Sequence, residues 1–204
     1  MATATAPFLP TPPAATMVLL RQQGVAAPSE TDLAQAENLP AAAFAARYPT
    51  RTELLRHALQ LDLERQKLDH VRLYQVFPSA VERLFGLIGY SITDLAATSP
   101  QYLADLRQHA PAWELLQDHL AAYSSPQLQQ LLNDGIRQGL FRSDINIQLV
   151  TIIIVQQLGI VLTPNIFPPM ASSAEIFRSV FLYYIRGLCT DEGARQAAGH
   201  FARM

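Results

Sequence analysis

Few residues in this chain could do chemistry, and their spacing decides which kind. The five histidines are His57, His70, His109, His119 and His200. No two of them stand at metal-ligand spacing, and H-E-x-x-H does not occur. Neither a glycine-rich phosphate loop nor a G-x-S-x-G turn is present. Asp105 and His109 fall four apart on one helix face, the spacing of a surface pair. The lone cysteine, Cys189, excludes an internal disulfide and a cysteine zinc cluster. Within "GLCTDEG", at the end of an apolar helical run, it reads as a half-buried small residue rather than a reactive thiol. No catalysis, metal or cofactor is assigned, and the chain is expected not to be an enzyme.

The elements that position the remaining residues are helical. Half of the 204 residues are hydrophobic and 16% are charged, which suits a globular chain with a large core or interface. Net charge is −2, the isoelectric point is about 6.2, and Lys67 is the only lysine, so bulk charge gives no nucleic-acid signal. The start, "MATATAPFLPTPPAAT", lacks a basic region and a long apolar run; it is expected to be a loose proline-rich arm over 1–13 rather than a secretory signal. The longest apolar run, Ile147 to Leu162, is broken by Gln148, Gln156 and Gln157. It is too short and polar to span a bilayer, which points to a cytoplasmic protein without membrane contact.

Helical spacing recurs almost everywhere, and no period-two strand stands out. Gly24 closes a first helix, Ser29 caps a second, and Pro40 suits the first position of a third, "PAAAFAARY". Three short helices joined by tight turns make a helix-turn-helix-sized unit over 14–49. Thr50 and Glu53 then mark a capping-type entry into a long helix that opens a larger bundle over 50–204. Breaks follow at Pro78, Pro100, Pro111 and Pro126. Asp144 is expected to start the very apolar helix, and Ser173 or Ala174 the last one. The fold class is all-α, with about nine helices.

This order resembles the TetR family of bacterial transcription regulators. That family's third and fourth helices read V-S-x-x-x-L-Y-x-Y-F-x-S-K-E-E-L-L; here the ungapped counterpart is "LPAAAFAARYPTRTELL", Leu39 to Leu55. "RQQGVAAPSETDLAQAEN" matches the preceding turn and second helix, "DGIRQGLFRSDIN" the link between the seventh and eighth helices, and "IRGLCTDEG" the last-helix ending. The resemblance implies a homodimer whose N-terminal heads enter the major groove of double-stranded DNA. It implies a C-terminal domain that dimerises and holds a small-molecule effector, which changes the spacing of the heads.

The same alignment places the reading surface on Ala41, Ala42 and Ala43 after Pro40. Base-edge readout needs hydrogen-bonding side chains, and an alanine methyl can do little beyond touching a thymine methyl. Ala45 stands where the family has a phosphate-contacting tyrosine. Residues 1–60 carry Arg21, Arg47, Arg51 and Arg56 against Glu30, Asp32, Glu37 and Glu53, so the head is formally neutral. Glu30 and Glu37 flank the second helix, where they would repel an approaching DNA backbone. Arg51 stands at the family's phosphate-contacting lysine, and Arg47 and Thr50 could also reach a phosphate; all three could equally be solvated residues around a helix cap. Two readings follow: a DNA-binding regulator with weak, shape-based recognition, or a dimeric sensor or interaction module that no longer binds DNA.

Aromatic residues with polar tips among the middle helices are expected to wall a ligand pocket: Phe77, Phe85, Tyr102, Trp113, Leu116, His119, Tyr123 and Gln156. The two late apolar helices are expected to form the dimer interface through Val150, Ile153, Ile154, Gln157, Ile160, Phe177, Phe181, Tyr184, Ile185 and Leu188.

Overall fold

The computed structural model describes residues 8–163, 166–168 and 170–201; the first seven residues of the arm and the side chain of His200 lie outside it. Among the described residues the chain is all-α, without a strand, and has one isolated antiparallel bridge between Phe141 and Cys189. The helices are α1 (Ala15–Gln23), α2 (Glu30–Ala36), α3 (Ala41–Arg47), α4 (Arg51–Val76), α5 (Ala80–Ala96), α6 (Pro100–Gln108), α7 (Ala110–His119), α8 (Ser125–Arg137), α9 (Ile147–Val161), α10 (Ser173–Leu188) and α11 (Asp191–Phe201).

Local sequence explains most of their ends. Ser29 caps α2 by accepting from the Asp32 N–H, and Asn38 takes a left-handed φ of 55° in the turn that follows. Thr50 and Glu53 close a full capping box on α4, and Ser79–Glu82 and Ser172–Glu175 do the same for α5 and α10. α4 is 26 residues long, hence about 39 Å. Pro126 does not end a helix as expected. Leu120–Ser124 forms a π-helical turn that joins α7 to α8 without a break, and the Ser125 N–H bonds back to the Leu120 carbonyl. α9 starts at Ile147 under an Asn146 cap, while Asp144 pairs with Arg142 on the surface.

Two hydrophobic cores divide the molecule. One joins Met17, Leu20, Leu33 and Phe44 of the head to Leu55, Leu59 and Leu63 of α4 and Tyr102 and Leu106 of α6. The other joins α5, α8, α9 and α10 through Phe85, Leu132, Ile154, Phe181 and Ile185, with Ala197 of α11. The head's core therefore runs well beyond residue 49.

Polar bonds fasten the head to the body. Arg21 of α1 is buried and holds Asp62 of α4 and Asp94 of α5, each at 2.6 Å. Arg65 lies against Asp62, Asp69 and Asp94 on the same cluster. The Ser99 N–H reaches the Arg21 carbonyl at 2.8 Å, and the Val25 N–H reaches Asp105 at 2.7 Å. Gly24 makes this joint possible. Its φ is 88°, and a side chain there would collide with Gln101 and Asp105 of α6. His109 bonds Thr52 at 2.8 Å, so Asp105 and His109 serve two joints and do not face each other as a pair. The proline-rich segment is also held. Thr11 gives its N–H and hydroxyl to Asp69, while Arg65 and Arg72 grip Thr11 from either side.

Candidate functional site

The outer face of α3 is a sheet of methyl groups. Phe44 and Tyr48 turn inward, while Ala41, Ala42, Ala43, Ala45 and Ala46 are exposed. Tyr48 packs at a tilt against the rings of Phe44 and His57, whose Nδ1 lies 3.0 Å from the Tyr48 hydroxyl. Arg47 is half-exposed over the Tyr48 ring, 4.0 Å from Glu37. Thr50 is exposed, but its hydroxyl donates to Glu53 within the capping box. Arg51 donates to the Pro28 carbonyl at 2.6 Å and leaves Nη1 buried without a partner among the described residues. The three polar residues of this surface are thus all engaged within the head. Glu37 does not stand free in solvent: it is half-buried and accepts from the Thr16 hydroxyl at 2.5 Å.

A two-chambered cavity lies between the cores. The first chamber, 140 Å³, is bounded by α4, α5, the π turn, α8, α9 and α10; Tyr74, Gln127, Ile154 and Phe181 contribute to its wall. The second, 200 Å³, runs towards the head past Leu59, Leu63, Leu106 and Tyr102 and includes Arg21 and Asp94. Both share His70, Ser91, Ser124, Leu158 and Phe177, which form a neck between them. The two volumes together reach the lower end of the range of small-molecule sites.

The polar groups at the neck and inner end carry little free charge. Burial, and then His119 nearby, lowers the His70 imidazole to about 4. Burial also lowers His119, with Lys67 adding to the effect. Both rings are neutral near physiological pH and clasp Tyr123, whose hydroxyl lies 3.3 Å from His70 Nδ1. Burial opposes the charge of Arg21, yet Asp94 and Asp62 outweigh it and hold the group above its ordinary value. Burial raises the phenols of Tyr90 and Tyr102, so both stay protonated. Burial likewise pushes the Cys189 thiol up to about 11, away from the cavity.

Of the residues expected to wall a pocket, Tyr102, Leu116 and His119 line the second chamber and Tyr123 the first. The other four lie elsewhere. Phe85 is wholly buried in the C-terminal core, Phe77 packs on Gly86, Trp113 sits under the Arg107 guanidinium at 4.7 Å, and Gln156 faces solvent. Sequence reasoning missed His70, Ser91, Ser124 and Gln127, and it assigned Phe177 to the dimer interface rather than to the cavity wall. It also missed the charged cluster, although a signal existed: Asp62 and Asp69 continue the buried stripe of Leu55, Leu59 and Leu73, where charges must be paired.

The expected interface residues divide by helix face. Val150, Ile154, Phe177, Phe181, Ile185 and Leu188 are buried within the chain and cannot meet a partner. Ile153 and Ile160 are exposed, and Gln157 and Tyr184 are half-buried. The apolar surface that α9 and α10 leave open consists of Leu149, Ile152, Ile153, Ile160 and Tyr183, with exposures from 43% to 79%.

No protein-family model and no curated protein matches this sequence. Solved structures do match the fold. A TetR-family regulator from Agrobacterium tumefaciens is 16% identical over 85% of this chain and 93% of its own, at a TM-score of 0.65. A transcriptional regulator from Saccharomonospora viridis in complex with choline is 17% identical over 86% and 94%, at 0.64. The ketosteroid transcriptional regulator KstR2 of Mycobacterium tuberculosis is 16% identical over 87% and 92%, at 0.59. The chain has the TetR-type fold from head to C-terminal bundle.

Proposed function

We propose that this protein is a dimeric transcriptional regulator of TetR type whose head docks on DNA under the control of a small molecule in the two-chambered cavity; it is not an enzyme. The observation that carries the reading is the position of that cavity. Its inner chamber includes Arg21 and Asp94, two members of the cluster that fixes α1 to α4 and α5. A molecule lodged there touches the fastening of the head itself. The KstR2 and choline-complex regulators, built on the same fold, support a ligand-responsive body. The open apolar face of α9 and α10 supports pairing as a two-fold dimer, and no described helix is long and apolar enough to cross a membrane.

DNA contact rests on few groups. Arg47 must leave Tyr48 and Glu37, and Arg51 must share its guanidinium with the Pro28 carbonyl. Affinity is then modest and set by backbone shape rather than by base edges. Fluorescence anisotropy against the protein's own upstream DNA and a scrambled duplex, over a salt series, tests this. Preferential binding that weakens in Arg47→Ala and Arg51→Ala is the expected result.

The methyl face of α3 specifically favours a second reading, in which the protein senses a ligand and no longer binds DNA. Equal, feeble binding to both duplexes at low salt is its signature, and it retires the first.

A further inference from the structure

We infer that the cavity takes an uncharged, largely apolar molecule carrying a hydrogen-bond-accepting oxygen at one end, lying along both chambers with that oxygen at Arg21. The inference rests on the cavity being the control site and names what fills it.

The walls decide the body of the ligand. Leu59, Leu63, Leu106, Leu158 and Phe177 line the inner chamber, and the outer one continues with Leu84, Ile88 and Ile154. Such surfaces favour hydrocarbon, and two chambers that meet end to end at His70, Ser91, Ser124, Leu158 and Phe177 favour an elongated shape over a broad one.

The charges decide the head group. Arg21 is the cation at the inner end, and Asp62 and Asp94 already occupy its two terminal nitrogens at 2.6 Å each. Arg65 meets Asp62, Asp69 and Asp94. A ligand carboxylate would enter a site whose positive charge is already balanced. A quaternary ammonium would find Asp94 held by both arginines. Burying either ion unpaired is costly. A neutral acceptor meets the opposite situation. Among the described residues Arg21 Nε is buried and has no hydrogen-bond partner, and Arg21 belongs to the chamber wall. A ketone, ester or ether oxygen supplies the acceptor that this N–H lacks, without disturbing the ion pairs.

The test is isothermal titration calorimetry of the full chain with 2-nonanone, nonanoate and nonyltrimethylammonium, one tail with three head groups. n-Butylbenzene serves as a probe without oxygen. One saturable 2-nonanone site per chain is expected, about tenfold tighter than either ion. Ser91→Phe or Leu158→Trp, either of which obstructs the neck, abolishes that binding. Arg21→Lys, which keeps the charge but removes Nε–H, weakens 2-nonanone severalfold and leaves n-butylbenzene unchanged. The inference is overturned if an ion binds as tightly as the ketone, if none of the probes saturates, or if ketone binding survives both neck variants. Anisotropy with the DNA above separates the two claims. Ketone bound at the neck with no change in DNA affinity upholds the ligand class and retires the regulatory reading. An ion bound there that does change DNA affinity does the reverse.

Discussion

Arg21 stands between two carboxylates on two different helices, and its removal is expected to cost more than one ion pair on a surface would. Arg21→Ala leaves Asp62, with its side chain 1% exposed, dependent on Arg65 and Gln66 alone. Stripping one partner from such a buried cluster costs about 3 kcal/mol, which urea unfolding would register as a lower midpoint. His70 makes a prediction of a different kind. Its imidazole titrates near 4 in the folded chain and near 6.5 when unfolded, because burial opposes the charged form. Between those values the unfolded chain takes up a proton that the folded chain does not. Stability is therefore full above about pH 6.5 and declines as pH falls towards 4. For a half-buried ring the loss is about 2 kcal/mol, and His70→Phe should remove that slope from a pH series of unfolding curves.

At the scale of the element, α9 shows what a sequence does and does not display. Its run of isoleucine, leucine and valine declares a helix, but apolar side chains all round give no phase. Val150 and Ile154 turn into the core while Ile152, Ile153 and Ile160 stay outside, and only packing against α8 and α10 separates them. The caps were readable because they are local: Ser29, Thr50 with Glu53, and the left-handed Asn38 all act within four residues. α11 was not. Its apolar positions Ala194, Ala197, Ala198 and Phe201 do share one face, but three of the four are alanines with little bulk to mark it, and the helix depends on Gly193 passing close to the Leu140 carbonyl. The face that α9 exposes carries its own prediction. Ile152 is 56% exposed, so Ile152→Glu leaves the fold of the single chain intact and places a charge in the proposed contact. Light scattering coupled to size exclusion should then give the mass of one chain where the unmodified protein gives two; an unchanged dimer would remove α9 from the interface.

At the scale of the molecule, the cavity fills the seam between two cores, and the joints of the head cross that seam. None of this was visible along the sequence, because Arg21 and Asp94 are 73 residues apart and Val25 and Asp105 are 80 apart. The separation of tasks makes coupling testable. Asp105 accepts from the Val25 N–H and lines neither chamber, so Asp105→Ala loosens the exit of α1 without touching the ligand's walls. Its calorimetric affinity for 2-nonanone should equal that of the unmodified protein. Its DNA affinity should no longer follow the ketone, whereas in the unmodified protein the ketone shifts DNA affinity by about 5- to 150-fold. Reciprocity gives a second check on the same samples: saturating DNA alters ketone affinity by that same factor in the unmodified protein and leaves it unchanged in Asp105→Ala. A variant that still responds fully would mean that Arg21 and the Thr52–His109 bond carry the signal by themselves, and that the α1–α6 contact only holds the head in place.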